Sequence, residues 1–337
     1  MTIRFGVIGA QHDHVIALTE LLLEAGAEPV SFHEADPRFA RLYAERFPAI
    51  PAAASEAQIL DDPRLDLIVI VTEPARRAAV AVAALRRGKD VALDKPAVVS
   101  RADLASLRAA QRETGRIVSV FFSEHFHDRV TIRALELVRS GAIGEVVHIS
   151  SLSAHKIGVA LRPDWFYDGQ RYGGILNDLI SHHIHQFILF TGSERATVAS
   201  ARAANLAHPQ QPQLEDFGDI LLASERATGY ARVDWLTPAG LPTWGDVRMF
   251  ITGTTGSLEL RKTINLGASG QGALYWISGE RVEVVDCAGV PFRYGQDLLH
   301  DISRRTETVM AQAHCFRVCE LALDAVDLAR RGAIPVS

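Results

Sequence analysis

Residues 67–71 read Leu-Ile-Val-Ile-Val, and an apolar run of that length and composition is the mark of a strand buried on both faces. Strands of this kind belong to parallel sheets, where each return crossing needs a helix. The neighbouring sequence supplies those crossings. Residues 3–8 form another apolar run, ending at Gly9, and a helical stretch over 14–25 follows, closed by Gly26. A strand over 29–33 ends at Glu34, and the helix over 38–47 stops at Pro48. An alanine-rich helix over 75–87 closes at Gly88; a strand over 90–93, a helix over 101–114 and a strand over 117–122 come next. Such alternation predicts a parallel, doubly wound sheet with helices on both faces.

Beyond residue 122 the pattern changes. A helix over 130–140 and a strand over 146–152 lead through a polar loop to a helix over 176–190. Segments 228–235, 247–252 and 257–261 are β-rich and separated by Gly and Pro turns, 273–285 suggests a further hairpin, and a long helix over 307–330 ends at Gly332. The chain of 337 residues exceeds the size at which one hydrophobic core usually stops growing. The expected fold is therefore α/β, with an N-terminal Rossmann domain over 1–122 and a C-terminal α+β domain over 123–337.

Several function classes are excluded by composition. The formal net charge is −5 and the basic residues form no stripe, so nucleic acid is not an expected partner. No apolar run is long enough to cross a bilayer, and the N-terminus shows no basic n-region or apolar h-region. The three cysteines, Cys287, Cys315 and Cys319, form no CxxC pair and suit a reducing compartment, so a cytoplasmic protein is expected. Cys315 and Cys319, one helical turn apart beside His314, read as small apolar residues on the buried face of the last helix.

The turn between the first strand and first helix, Gly6-Val7-Ile8-Gly9-Ala10-Gln11-His12-Asp13-His14, stands where a dinucleotide fingerprint belongs. Only its first glycine, Gly9, is present, with Gln11 and His14 in the other two places. The amides of Ala10, Gln11 and His12 can still hold a pyrophosphate at the helix N-terminus. Glu34 ends the second strand about 20 residues further on, where a carboxylate accepts from the adenosine ribose hydroxyls and disfavours a 2′-phosphate. Those residues point to NAD rather than NADP.

At Asp94-Lys95-Pro96 the chain resembles the glucose–fructose oxidoreductase, inositol dehydrogenase and rhizopine-catabolism (Gfo/Idh/MocA) family, whose Glu-Lys-Pro motif stands here as Asp-Lys-Pro. The strand from Leu67 to Thr72 followed by Pro74, and the lead-in Gly88-Lys89-Asp90-Val91, are similar too. The family's second signature, Gly-Gly, then Asp, then His four residues later, is matched by Gly173, Gly174, Asp178 and His182. The resemblance implies a second domain with a large open, mainly antiparallel sheet often used for assembly, so a homodimer or homotetramer through that sheet. It also implies oxidation of a secondary hydroxyl of a sugar, polyol or related small molecule by NAD, and it places Thr72, Pro74, Asp94 and Lys95 at the cofactor.

Asp178 and His182, four residues apart on the expected helix, would share one face, so that the carboxylate orients the imidazole as general acid/base. Lys95 would hold the reacting oxygen. His155, Arg162, Trp165 and His185 are candidate substrate contacts: Arg162 as a bidentate donor and Trp165 as a face for a sugar ring. Three departures from the family pattern bear on the substrate: His185 stands where an acid is frequent, Ile180 where Gly is frequent, and Arg77 where a Pro-x-x-His would end. Three other readings remain open: a non-catalytic nucleotide sensor or partner protein on the same scaffold; transient use of the cofactor for elimination or hydrolysis next to an oxidised carbon; and a metal enzyme at the His182, His183 and His185 cluster, where His182 with His185 and Asp178 or His155 would supply the ligands. Successive helical residues point about 100° apart, so His182 and His183 are not expected to chelate together and no metal is assigned.

Overall fold

The computed structural model describes residues 2–158, 162–267 and 272–332. The N-terminal stretch runs β1 (Arg4–Ile8), α1 (His14–Glu24), β2 (Glu28–His33), α2 (Pro37–Arg46), α3 (Glu56–Leu60), β3 (Leu67–Ile70), α4 (Pro74–Arg86), β4 (Asp90–Asp94), α5 (Arg101–Thr114) and β5 (Val118–Phe121). These strands form a parallel five-stranded sheet in the order β2-β1-β3-β4-β5. Strand order reverses at β1, which pairs with both β2 and β3, and this is the switch point at which doubly wound sheets leave a crevice outside the carboxyl ends of their strands. All four residues of β3 are fully buried, as their unbroken apolar run requires.

The chain continues through α6 (Ser123–Phe126), α7 (Arg129–Arg139), β6 (Val146–His155), α8 (Gly169–Tyr172), a π-turn (Leu176–Ile180), α9 (Ser181–Thr191), β7 (Thr197–Ala204), β8 (Phe217–Ala223), β9 (Thr228–Asp234), β10 (Gly245–Gly253), β11 (Gly256–Arg261), β12 (Ala273–Ser278) and β13 (Val282–Val285), ending with α10 (Tyr294–Arg304) and α11 (Gln312–Arg331). Two units result. The first is Met1–Ser123 with Gln170–Gly173 and Phe292–Glu320; the second is Glu124–Gly169, Gly174–Pro291 and Leu321–Ser337.

By contacts the chain divides after Ser123, one residue from the expected boundary, while residues 292–320, expected in the second domain, group with the first unit. Residues 292–320 return to the first unit because they complete its core. Tyr294 meets the Ser119 hydroxyl at 2.9 Å, and Gly295 lies so close to α1 that a Cβ there would come within 2.1 Å of the Leu21 carbonyl. Gln312 closes the sheet edge: its Oε1 accepts from the Val118 amide and its Nε2 donates to the Val118 carbonyl, both at 3.0 Å, so one side chain stands in for a missing strand beside β5.

In the second unit the strands form an eight-stranded sheet in the order β13-β12-β11-β10-β6-β9-β8-β7, antiparallel except for the β6–β9 pair. Strands β7 and β8 and helix α10 had no counterpart in the sequence reading; the small and polar residues of β7 blur its period, whereas α10 buries Tyr294, Leu298 and Ile302 at helical spacing, a signal the reading passed over. Register shows why the sheet has two unlike faces. Ile220, Ala231, Ser151, Met249, Leu260 and Leu274 lie opposite one another in successive strands, and all are buried. The adjacent row, Leu221, Tyr230, Ser150, Phe250, Glu259, Tyr275 and Val284, points to the other side, with Leu221, Phe250 and Val284 exposed.

One buried cation organises the first unit. Arg77, 1% exposed in α4, donates from Nε to the Thr72 carbonyl at 2.8 Å, from Nη1 to the carbonyls of Lys95 and Pro96, and from Nη2 to Asp94 Oδ2 at 3.0 Å. It therefore fastens the end of β3 to the end of β4 and to the turn that carries Lys95. Breaking a buried pair by removing one partner typically costs about 3–5 kcal/mol, because the other charge stays buried. Arg77→Leu is expected to lower the urea-derived unfolding free energy by an amount in that range, and Arg77→Leu with Asp94→Asn by less. A loss below about 1 kcal/mol, the size of an ordinary substitution, would show that Arg77 does not hold these strand ends.

Candidate functional site

In the first unit the site begins at Gly9, whose φ of +87° and whose proximity to the next strand (a Cβ would sit 2.4 Å from the Thr72 amide nitrogen) admit no other residue. Its amide donates to the His33 carbonyl at 2.8 Å, which ties the β1–α1 turn to the end of β2. Glu34 continues that tie. Its Oε2 accepts from the Ala10 amide at 2.7 Å and its Oε1 from Gln11 Nε2 and the Asp36 amide, each at 2.8 Å. A carboxylate has about four lone-pair directions. Three are taken, so Glu34 retains one acceptor for a ribose hydroxyl where the sequence suggested two. Gln11, in the place of the second fingerprint glycine, thus finds its partner in Glu34.

His12 and His14 fill the remainder of the turn. His14 Nδ1 lies 2.7 Å from Asp94 Oδ1 and its Nε2 2.9 Å from the Ser123 hydroxyl, so its ring spans from β4 to the residue that opens α6. The His12 ring packs edge-on against it, with centroids 4.1 Å apart, and burial chiefly, then His14, pushes the His12 imidazole down to about 3. Asp94 is fully buried. Burial raises its carboxyl, but Arg77 foremost and then His14 and His12 outweigh that and hold it well below the usual carboxylate range. The Lys95 amide donates to Asp94 Oδ1 at 2.8 Å, and the Lys95 side chain, 3% exposed, starts from a peptide that is cis to Pro96. Thr72 and Pro74, both buried, form the next strand-to-helix turn, where Pro74 is the first residue of α4.

Among the described residues, His12, His14 and Asp94 are the trio whose donor atoms converge, all within 4.8 Å of one another. The sequence had weighed a metal at His182, His183 and His185 instead. Chemistry disfavours a cation at the converging trio: Asp94 already accepts from the Arg77 guanidinium, and His14 Nδ1 is spent on Asp94.

In the second unit the segment after Gly174 is not one continuous helix. A π-turn over Leu176–Ile180 precedes α9, so Asp178 sits in the wide turn and His182 in the first turn of the α-helix. The expected four-residue stacking of these two is therefore altered, since π-geometry pairs residues five apart. Asp178 and His182 are both buried, at 9% and 2% exposure. The turn is anchored at Gly174, whose φ of +85° and closeness to the Glu215 carboxylate explain its glycine; Glu215 Oε2 accepts from the Ile175 amide at 2.8 Å.

Around α9 lies a charged interior that sequence reasoning missed. Glu124 and Lys262 pair at 3.2 Å with both side chains almost wholly buried, and Lys262 also donates to Gln186 Oε1 at 2.7 Å. Ser153 donates to Glu124 Oε1 at 3.3 Å, and the Nε2 atoms of His155 and His183 stand 3.9 and 4.0 Å from its oxygens. Burial raises Glu124, but Lys262 first and then His183, His182 and His155 hold it well below the usual range. Burial pushes His183 down to about 4, so its ring is neutral. The only sequence hint was a carboxylate placed directly after the last parallel strand, and nothing in the sequence joined it to residue 262.

The remaining substrate candidates are spread over this unit. His185 Nε2 meets His125 Nδ1 at 2.9 Å, so one ring donates and the other accepts. His155 packs against Trp235 and Trp244. Arg162 donates to the Ile157 carbonyl at 2.8 Å, with its guanidinium over Phe166 and Trp235. Trp165 is 7% exposed, so its ring lies within the packing rather than at the surface.

Comparison with known proteins agrees with this architecture. Residues 3–122 match the family described as oxidoreductase family, NAD-binding Rossmann fold, and residues 131–259 match the GFO/IDH/MocA C-terminal domain. A solved structure of oxidoreductase type from Erwinia carotovora atroseptica is 38% identical, with a TM-score of 0.95 over 97% of this chain and 99% of that one. Inositol 2-dehydrogenase of Acidothermus cellulolyticus is 31% identical over 147 residues, 42% of each chain. Levoglucosan dehydrogenase, solved in complex with NADH, shares the fold at 17% identity, with a TM-score of 0.80 and 98% coverage of both chains. The chain spans about half the length of the curated relatives it matches, 42% of one and 58% of another. With both domain types matched in order and a whole-length relative at 38% identity, the chain belongs to the Gfo/Idh/MocA family of oxidoreductases.

Proposed function

We propose that this protein is a dehydrogenase that transfers a hydride between NAD and a secondary hydroxyl of a sugar, polyol or related small molecule. The observation that carries this reading is the turn after β4, where Asp94 is ionised and locked by Arg77 and thereby fixes the Lys95 backbone at the carboxyl end of the parallel sheet. The first unit fits the nucleotide: Gly9 lets the turn pass against Thr72, the N-terminus of α1 offers amides to the pyrophosphate, and Glu34 keeps one acceptor for a ribose hydroxyl. When bound, NAD supplies the hydride acceptor. Lys95 holds the substrate oxygen, His182 takes the hydroxyl proton, and Asp178 positions that imidazole. The inositol and levoglucosan dehydrogenases among its relatives favour a polyol or sugar. A cytoplasmic location accords with the three free cysteines, and among the described residues no helix is long and apolar enough to cross a membrane.

Lys95→Ala and His182→Ala are each expected to lower kcat/KM at least tenfold on a polyol found by screening NADH formation, with NADH affinity within about threefold of wild type, because transition-state contacts and not cofactor contacts are lost. Turnover near wild type in both variants would remove these residues from the mechanism.

Cofactor choice follows from Glu34, whose negative charge and single remaining acceptor suit a ribose hydroxyl and repel a 2′-phosphate. Calorimetry is expected to show NADH at least tenfold tighter than NADPH. Glu34→Ser should narrow that gap and also weaken NADH itself, since the serine cannot hold both Ala10 and Gln11. Equal or tighter NADPH binding by the unmodified protein would take Glu34 out of the ribose site.

The second unit's sheet is the proposed assembly surface, as a homodimer or homotetramer. Its outer row carries exposed Leu221, Phe250 and Val284, an apolar strip that a second copy of the same sheet would cover. Sedimentation should give a mass above one chain, and Leu221→Lys with Phe250→Lys should shift it toward the monomer. A monomeric wild-type protein at micromolar concentration would exclude this surface as a stable interface.

A further inference from the structure

We propose that Asp94, His14 and Ser123 form a hydrogen-bonded relay that recognises the carboxamide N–H of the nicotinamide; this rests on the reading of the first unit as an NAD site. The three residues come from three places in the chain, the end of β4, the start of α1 and the residue just beyond β5, and are joined at 2.7 and 2.9 Å through the two nitrogens of one imidazole.

The polarity of this chain follows from its buried end. Asp94 is fully buried and accepts from Arg77, from the Lys95 amide and from His14, and the Arg77 charge keeps it ionised. An ionised carboxylate can only accept, so the hydrogen between it and the imidazole sits on His14 Nδ1. When the ring is neutral its other nitrogen is an acceptor, and the Ser123 hydroxyl donates its single hydrogen to Nε2. What Ser123 has left is lone pairs. A serine whose hydrogen is directed inward recognises donors and rejects acceptors, a selectivity that an unconstrained serine lacks because its hydroxyl rotates to suit either.

Placement supplies the partner. A dinucleotide lies across the switch point of a doubly wound sheet, with the adenosine ribose at the acidic end of β2, here Glu34, and the other half beyond the switch, over the carboxyl ends of the later strands. Ser123 follows β5, the strand furthest from Glu34 in the sheet order. On that half of the cofactor the nitrogen donor is the carboxamide. Holding it fixes the rotation of the ring and with it the face from which hydride moves. Histidine at position 14 is then the residue that replaces the third fingerprint glycine with a function of its own.

The test uses the full-length protein at pH 8.5 and two reduced cofactors, NADH and its 3-acetylpyridine analogue, in which a methyl group replaces the carboxamide NH2 and all ribose hydroxyls are kept. Calorimetric titration should show the wild type binding NADH at least tenfold tighter than the analogue. Ser123→Ala should bring that ratio below threefold by weakening NADH and leaving the analogue unchanged, His14→Phe should do the same, and Ser123→Thr, which keeps the hydroxyl, should restore the preference. A wild-type ratio near one, or a ratio unchanged in Ser123→Ala, would overturn the relay. Stoichiometric zinc retained by the wild type and lost in His14→Phe would assign His14 and Asp94 to a metal instead and equally overturn it. Failure of NADH to bind the wild type at all would overturn the nucleotide reading itself, a result distinct from binding without carboxamide preference.

Discussion

The Arg77–Asp94 pair is the constraint on which the first unit's chemistry depends. A guanidinium with five donors is placed where three backbone carbonyls and one carboxylate converge, and the planar fork satisfies them together. Parallel strands end in loops that are otherwise free to vary. Here the loops after β3 and β4 are joined through one side chain, so Thr72, Asp94 and Lys95 hold fixed positions, with the Lys95 amide adding one bond to Asp94 Oδ1. Ionised Asp94 in turn sets the tautomer of His14. The hydrogen-bond chain that starts at Arg77 thus runs through Asp94 and His14 to Ser123.

The second unit solves a related problem differently. Helix α9 is buried nearly all round yet carries His182, His183, His185 and Gln186, a composition that would be costly in an apolar core. Glu124 and Lys262 offset that cost by bringing a compensated charge pair among the rings, with Gln186 and Ser153 completing the hydrogen bonds. Burial keeps His183 neutral in this setting.

What the sequence disclosed and what it withheld divide along physical lines. Buried parallel strands announce themselves because both faces are apolar, so β3 and its neighbours were legible within a residue or two. Motifs with short spacing were legible too, and they brought Gly9, Glu34, Lys95, Asp178 and His182 forward. Long-range pairing was not. Glu124 meets Lys262 across 138 positions and Gln312 meets Val118 across 194, and neither partner has a local pattern that calls for the other. The π-turn under Asp178 was hidden for another reason: one inserted residue shifts a helical period too little for side-chain hydrophobicity to reveal it. Arg77 had been noted only as a departure from the family pattern, although burial makes it a structural centre.

Gln312 has a consequence for how this protein is made. A chain emerging from the ribosome presents β1 to β5 long before residue 312 exists, and until then the outer edge of β5 has an unpaired Val118 amide and carbonyl available to any other strand. The nucleotide-binding unit therefore cannot seal its sheet during synthesis of its own first 123 residues; it must wait until residues 124–291, most of the second unit, have been translated. Residues 292–320 act as the finishing stitch, so closure of the first sheet waits on a segment made after residues 124–291 of the second unit.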